Sequence, residues 1–115
     1  MNNMRIIFVG MLVCTSMLAG QAAVAADGKT VFGSNCSACH GPNGQGIASL
    51  APALKGDKFV IGDMKAVIDT VKNGRSGDQK HFKDMPVAMP AWGKQLSDAD
   101  IKAVVDYIRD DLQKP

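Results

Sequence analysis

Apolar and polar residues alternate with a helical period in three parts of this chain. Met64, Val67, Ile68 and Val71 recur at the i, i+3, i+4, i+7 spacing of one helix face. Asp63 stands before them as a cap, and Asn73-Gly74 after them as a stop. Ile101, Val104, Val105, Ile108 and Leu112 form a second and stronger stripe. Ser97-Asp98-Ala99-Asp100 precedes it as a capping box, with Asp in place of the usual Glu. Asp98 and Asp100 lie at the positive end of that helix dipole, and Arg109 at the negative end. A third helix starts at Asp27, carries Val31 and Phe32, and runs toward Cys36. Between the helices lie Gly/Pro-rich loops, with a turn expected at Gly41-Pro42-Asn43-Gly44. No run alternates with the period of a strand, so the fold class is all-α.

The N-terminus follows a different rule. Arg5 is followed by the apolar run Ile6–Gly20 and then by the small residues of Gln21–Ala26, with Ala-x-Ala at Ala23-Val24-Ala25. This is the order of a secretory signal peptide. The run is shorter than the about 20 apolar residues of a membrane span. Cys14 follows Val13 rather than a small residue, which argues against a lipoprotein anchor. Residues 1–26 are therefore expected to be a leader and residues 27–115 one domain, with the mature chain starting near Ala26 or Asp27 and exported to the periplasm.

Removing the leader changes two counts. Of three cysteines, only Cys36 and Cys39 remain. Of 13 basic residues, 12 remain once Arg5 is gone, against 11 acidic ones, all of them Asp. A balance so close to neutral gives no support for nucleic-acid binding. About 90 residues build only a small core, which a staple or a buried cofactor would complete.

Cys36-Ser37-Ala38-Cys39-His40 is the chemically informative stretch. A thioredoxin-like redox pair needs a βαβ setting that this pattern lacks. A zinc site needs four converging ligands, and His40 directly after Cys39 makes tetrahedral convergence awkward. A disulfide between Cys36 and Cys39 would close a very small loop and stabilise little. None of these requires His40. Cys-x-x-Cys-His as a c-type haem attachment signature does: two thiols one helical turn apart reach two vinyl groups of one porphyrin edge, and the next residue offers imidazole to the iron. For the opposite face the chain offers Met64, Met85 and Met89, with His81 as the bis-His alternative. Met64 is expected in the core. Met85 and Met89 each precede proline, which favours an extended backbone.

The order of motifs resembles a class I monohaem c-type cytochrome of the small bacterial kind. Gly28 and Phe32 precede Cys36-Ser37-Ala38-Cys39-His40. Pro52-Ala53-Leu54-Lys55-Gly56 follows, then Met89-Pro90-Ala91-Trp92-Gly93 and Leu96-Ser97-Asp98. The resemblance spans essentially all of residues 27–115. It implies a cytochrome c fold of three main helices around one haem c, bound through Cys36 and Cys39 thioethers. It further implies His40 and Met89 as iron ligands, with the Pro52 carbonyl accepting from the His40 ring. Gly28 and Phe32 would pack where the first and last helices cross, near Tyr107. The implied function is outer-sphere electron transfer rather than enzymic catalysis. Its partners would be redox proteins such as a periplasmic dehydrogenase, a membrane oxidase or a cytochrome complex, and the protein itself is expected to be a monomer. A firmly bound haem subunit of such a complex is the alternative, and weak peroxidase activity at an open iron is a third reading. Phe32, Leu50, Leu54, Phe59, Val67, Ile68, Val71 and Trp92 are expected to wall the haem, with Ala38, Val87 and Ala88 rimming its exposed edge. Lys55, Lys58, Lys80, Lys83 and Lys94 are candidates to steer an acidic partner. Arg75–Val87 departs from a minimal family member: it is longer and more polar, and His81 is expected there as a solvated residue.

Overall fold

The computed structural model describes Val24 and residues 26–115. The expected leader thus lies almost wholly outside the described residues. Five helices follow one another: α1 (Gly28–Asn35), α2 (Ser37–His40), α3 (Lys58–Ile61), α4 (Met64–Asn73) and α5 (Asp98–Arg109), with a 3-10 turn at Gly77–Gln79 before α5. Among the described residues there is no strand. Two isolated antiparallel bridges, Ile47–Ala51 and Arg75–Met89, are the nearest approach to one. No described helix is long and apolar enough to cross a membrane.

The helix starts are set by side-chain caps. Asp27 accepts from the Thr30 N–H, Asp63 from Ala66, and Asp57 from Phe59 and Val60. At α5 the capping box is complete. The Ser97 hydroxyl accepts from the Asp100 N–H, and the Asp100 carboxylate accepts from the Ser97 N–H. Each such cap satisfies donors that a helix end leaves without intrahelical partners.

The first helix ends at Asn35 with Cys36 as its cap, as expected, and α2 starts as a separate turn that carries Cys39 and His40. Two elements differ from the sequence expectation. The short helix α3 has no apolar periodicity of its own, being only four residues long; Asp57 is the signal that starts it. Met64 is also more exposed than expected, being the first residue of α4.

The core forms where α1 crosses α5. Val31 and Phe32 meet Ile101, Val104, Val105 and Ile108, and Phe32, Ile101, Val104 and Val105 are almost wholly inaccessible to solvent. The crossing is tight because position 28 is glycine. A Cβ there would run into the Ala103 carbonyl and stand 2.9 Å from Tyr107 Cβ. The Phe32 and Tyr107 rings pack beside it with centroids 5.5 Å apart. At its other end α5 is tied to α3, as the Arg109 guanidinium donates to the carbonyls of Val60 (3.0 Å) and Gly62 (2.7 Å). The helices therefore frame an apolar cleft on the face of the core that carries Cys36, Val67 and Val71.

Candidate functional site

A cavity of about 160 Å³ opens between α2, α4 and the loops, and its walls are predominantly apolar. That is far more than the roughly 10–15 Å³ one water occupies. Cys36, Cys39, His40, Pro52 and Met89 all contribute to its wall.

The cysteine–histidine end is built by backbone geometry. The N–H groups of Cys39 (3.2 Å) and His40 (2.9 Å) both donate to the Cys36 carbonyl, which sets the two thiols and the imidazole on one turn. Both thiols are free. Burial, and secondarily the neighbouring Cys39, pushes the Cys36 thiol up to about 11. The chain then turns at Gly44, whose N–H donates to the Gly41 carbonyl (3.0 Å), so the expected turn is present. Gly46 donates to the His40 carbonyl at 2.7 Å, and the Ile47–Ala51 bridge folds the next segment back. Only glycine suits position 46: its φ is +79°, and a Cβ would stand 2.6 Å from the Ala53 nitrogen. That approach delivers Pro52.

His40 is the one buried polar side chain of the described core. Its Nδ1 lies 2.8 Å from the Pro52 carbonyl oxygen. A carbonyl only accepts, so Nδ1 carries the hydrogen and the neutral ring keeps its lone pair at Nε2. Burial lowers the His40 pKa, the Pro52 bond opposing it, so the ring favours the neutral form that binds a metal.

The methionine end is stapled to α4. Arg75 and Met89 exchange backbone hydrogen bonds of 3.0 and 2.9 Å. Three and four residues on, the Trp92 and Gly93 N–H groups donate to the Val71 and Lys72 carbonyls, both at 3.0 Å. These are carbonyls of the last helical turn, which otherwise lack partners. Met89-Pro90-Ala91-Trp92-Gly93 thus runs back along the end of α4, with Met89 half-buried in the cavity wall.

The wall departs from expectation at three places. Leu50, Leu54, Phe59, Val67, Val71 and Trp92 line the cavity, whereas Phe32 and Ile68 do not. Phe32 is consumed by the α1–α5 crossing, and Ile68 packs against the core from outside. Val87 and Ala88 reach the cavity, but Ala38 is exposed on the far side of α2. His81 is exposed, as expected of a solvated loop residue, but it also borders the cavity and stacks on Phe59 with centroids 5.6 Å apart.

Sequence reasoning passed over Arg75 as a site residue and placed Lys80 only among surface charges. Both contribute to this apolar wall. The Arg75 guanidinium donates to the Thr70 hydroxyl at 2.6 Å, and the Lys80 ammonium donates to the Met85 carbonyl. Among the described residues neither pairs with a carboxylate. A cation facing an apolar cavity without a counter-ion was the available signal, and only the fold reveals it.

The donor set suits a covalently held haem. It comprises two free thiols one turn apart, a buried imidazole with a lone pair to give, a thioether across the cavity, and two cations for the haem's carboxylate side chains. It does not suit zinc, as no three His, Cys, Asp or Glu side chains converge among the described residues.

Comparison with known proteins agrees with this assignment of the cavity. The profile of the family "Cytochrome C oxidase, cbb3-type, subunit III" matches residues 23–108. Subunit CcoP of the cbb3-type cytochrome c oxidase of Azospirillum brasilense is 39% identical over 93 residues, 76% of this chain. The match spans only 28% of that much longer protein. Cytochrome c6 of Gracilaria tenuistipitata var. liui is 33% identical over 112 residues, covering 91% of this chain and 93% of the relative. Among solved structures, cytochrome c6C from Synechococcus sp. PCC 7002 superposes with a TM-score of 0.55 at 28% identity, covering 75% of this chain and 94% of that one.

Proposed function

The chain belongs to the c-type cytochromes, in the family that includes subunit III of cbb3-type cytochrome c oxidase, and from that premise we propose that it is an exported single-haem electron carrier. One haem c is held through thioethers at Cys36 and Cys39, with His40 and Met89 on its iron. The observation that carries this reading is the His40–Pro52 bond at 2.8 Å, inside an apolar cavity that also holds both thiols and Met89.

The bound haem supplies one-electron cycling between ferric and ferrous iron. Everything else is the work of this chain. Pro52 fixes the His40 tautomer and ring orientation. The Arg75–Met89 hydrogen-bond pair holds the thioether in place, which limits rearrangement when charge changes. Leu54, Phe59, Val67 and Val71 exclude water from the site and lower the local dielectric. The Arg75 and Lys80 cations lie where two carboxylates need compensation. The likeness to cytochromes c6 supports reading the chain as a carrier rather than an enzyme.

The similarity to cytochrome c6 over 93% of its length supports a free carrier. The similarity to CcoP supports the second reading, a haem subunit bound within an oxidase complex whose partners are redox proteins. Gel filtration of the native protein separates them: a small monomer is expected, and stable co-elution with larger subunits overturns the free carrier. The signal-peptide pattern of residues 1–26 supports export to the periplasm.

The primary test is the intact mass and visible spectrum of the mature protein. A covalently added haem mass and a ferric thioether–iron charge-transfer band are expected. The band disappears in Met89→Ala and persists in Met85→Ala. A mature protein without the added mass overturns the haem assignment, and loss of the band in Met85→Ala alone overturns Met89.

A further inference from the structure

The cavity holds more iron-binding side chains than two axial positions need. His81 sits in the same wall as Met89, on a segment with unusual mechanics. The mutual hydrogen bonds of Arg75 and Met89 close residues 76–88 into a loop with a fixed base. Beyond that base, the loop's hydrogen bonds are mostly internal. Lys83 Nζ donates to the Asp78 carbonyl at 3.1 Å, the Met85 N–H to Phe82 at 3.3 Å, and the Lys80 ammonium to Met85. Aromatic contact carries its attachment to the helices: His81 stacks on Phe59, and Phe82 meets the His81 ring edge at 5.3 Å.

The candidates along this wall are not equivalent. His40 is committed to the opposite end through Pro52. Lys80 is engaged with the Met85 carbonyl. Met85 is half-buried under its own loop. No hydrogen bond among the described residues engages the His81 ring, and a neutral imidazole is a good iron ligand without further change. His81 is exposed at the cavity mouth, where stacking on Phe59 holds its ring against the wall, and a loop held by rings rather than by hydrogen bonds can shift with few bonds to break.

Resting on the haem assignment above, we infer that His81 is a reserve distal ligand: when the Met89 thioether leaves the iron, the His81 imidazole takes its position. The site then stays six-coordinate and closed to small exogenous ligands, and its reduction potential falls, since imidazole in place of thioether favours the ferric state.

The test uses the mature haem protein and electron paramagnetic resonance with the visible spectrum. Met89→Ala is expected to remain low-spin with a two-nitrogen axial signature, and Met89→Ala/His81→Ala to become high-spin and bind added cyanide faster. His81→Ala alone keeps the wild-type thioether band. A Met89→Ala protein as high-spin as the double variant overturns the inference. So does a low-spin Met89→Ala that turns high-spin on removal of Lys80 or Met85 but not of His81. A Met89→Ala spectrum identical to wild type overturns it together with the Met89 assignment, whereas a missing covalent haem in the wild type identifies failure of the underlying reading. Should Met89→Ala not mature, ferric wild type and His81→Ala are compared in sub-denaturing urea. Wild type passes through a low-spin species without the thioether band. The same high-spin species in both proteins overturns the inference.

Discussion

Replacing Gly28 by alanine tests the central crossing of the fold. An added Cβ meets the Ala103 carbonyl group, with the carbonyl carbon 2.8 Å away, and Tyr107 Cβ at 2.9 Å. Backbone cannot step aside as a flexible side chain does, so α1 must move away from α5 by about half an ångström to one ångström to restore ordinary contact. That retreat loosens Val31 and Phe32 from Ile101, Val104 and Val105, the best-buried part of the molecule. Overpacking of this kind costs about 1–3 kcal/mol. The alanine gains up to about 1 kcal/mol in helix propensity, which offsets only part of it. A net loss of about 1–2 kcal/mol lowers Tm by about 4–16 °C in a domain of this size. Gly33 is the internal control. It lies in the same helix, and a Cβ there has no neighbour within 4 Å. Gly33→Ala is expected to gain about 0.5–1 kcal/mol and raise Tm. Thermal unfolding followed by far-ultraviolet circular dichroism on matched haem proteins reads both. Equal shifts of the two variants, or a Gly28→Ala protein at least as stable as wild type, would refute the steric reasoning.

Four further outcomes follow. Ser97→Ala removes one arm of the capping box and should cost about 1 kcal/mol in urea unfolding. The other arm is pH-dependent: the Ala26 N–H, and then Ser97, hold the Asp100 carboxyl below its usual 3.8. A depressed carboxylate stabilises above its unfolded value and loses that contribution as pH falls through the folded one. Asp100→Asn should therefore flatten the acid limb of the stability curve, and an unchanged slope counts against the pairing. Arg75→Gln removes a cation from the cavity wall, so a redox titration should give a lower reduction potential; an unchanged value would place the guanidinium away from the haem. Finally, the Ala26 nitrogen lies 2.8 Å from Asp100 Oδ1. Cleavage after Ala25 would turn that contact into an ammonium–carboxylate pair; an intact mass starting at Ala26 is compatible with the pair, and a start at Asp27 excludes it.

Local rules made much of this fold legible. Asp27, Asp63 and the Ser97 box announce their helices because a cap acts within four residues of itself. The apolar stripe of α5 is visible because it is buried along its whole length. Phe32 and Ile68 were expected in the cavity wall and lie elsewhere. A helix–helix contact and a cofactor wall both demand apolar residues, and periodicity cannot tell one apolar neighbour from another. Arg75, Lys80 and His81 were hidden because their significance depends on what they face, and a polar loop reads the same whether it faces solvent or a cavity.

Such a site becomes readable across distant relatives because backbone does most of the positioning. His40 is oriented by a carbonyl of Pro52, Met89 by the backbone of Arg75, and Trp92 by the exposed end of α4. Hydrogen bonds of this kind tolerate substitution of the side chains around them but not of the glycines that permit close approach, Gly46 and Gly74. At position 74 φ is +70°, and a Cβ would meet the Met89 carbonyl. The same logic explains how the chain carries a long polar loop beside Met89. Because Arg75 and Met89 seal the base of residues 76–88, strain or sequence change in the loop stops at that pair and does not reach the thioether. A change of length or charge in the loop is thereby expected to leave the backbone position of Met89 unaltered.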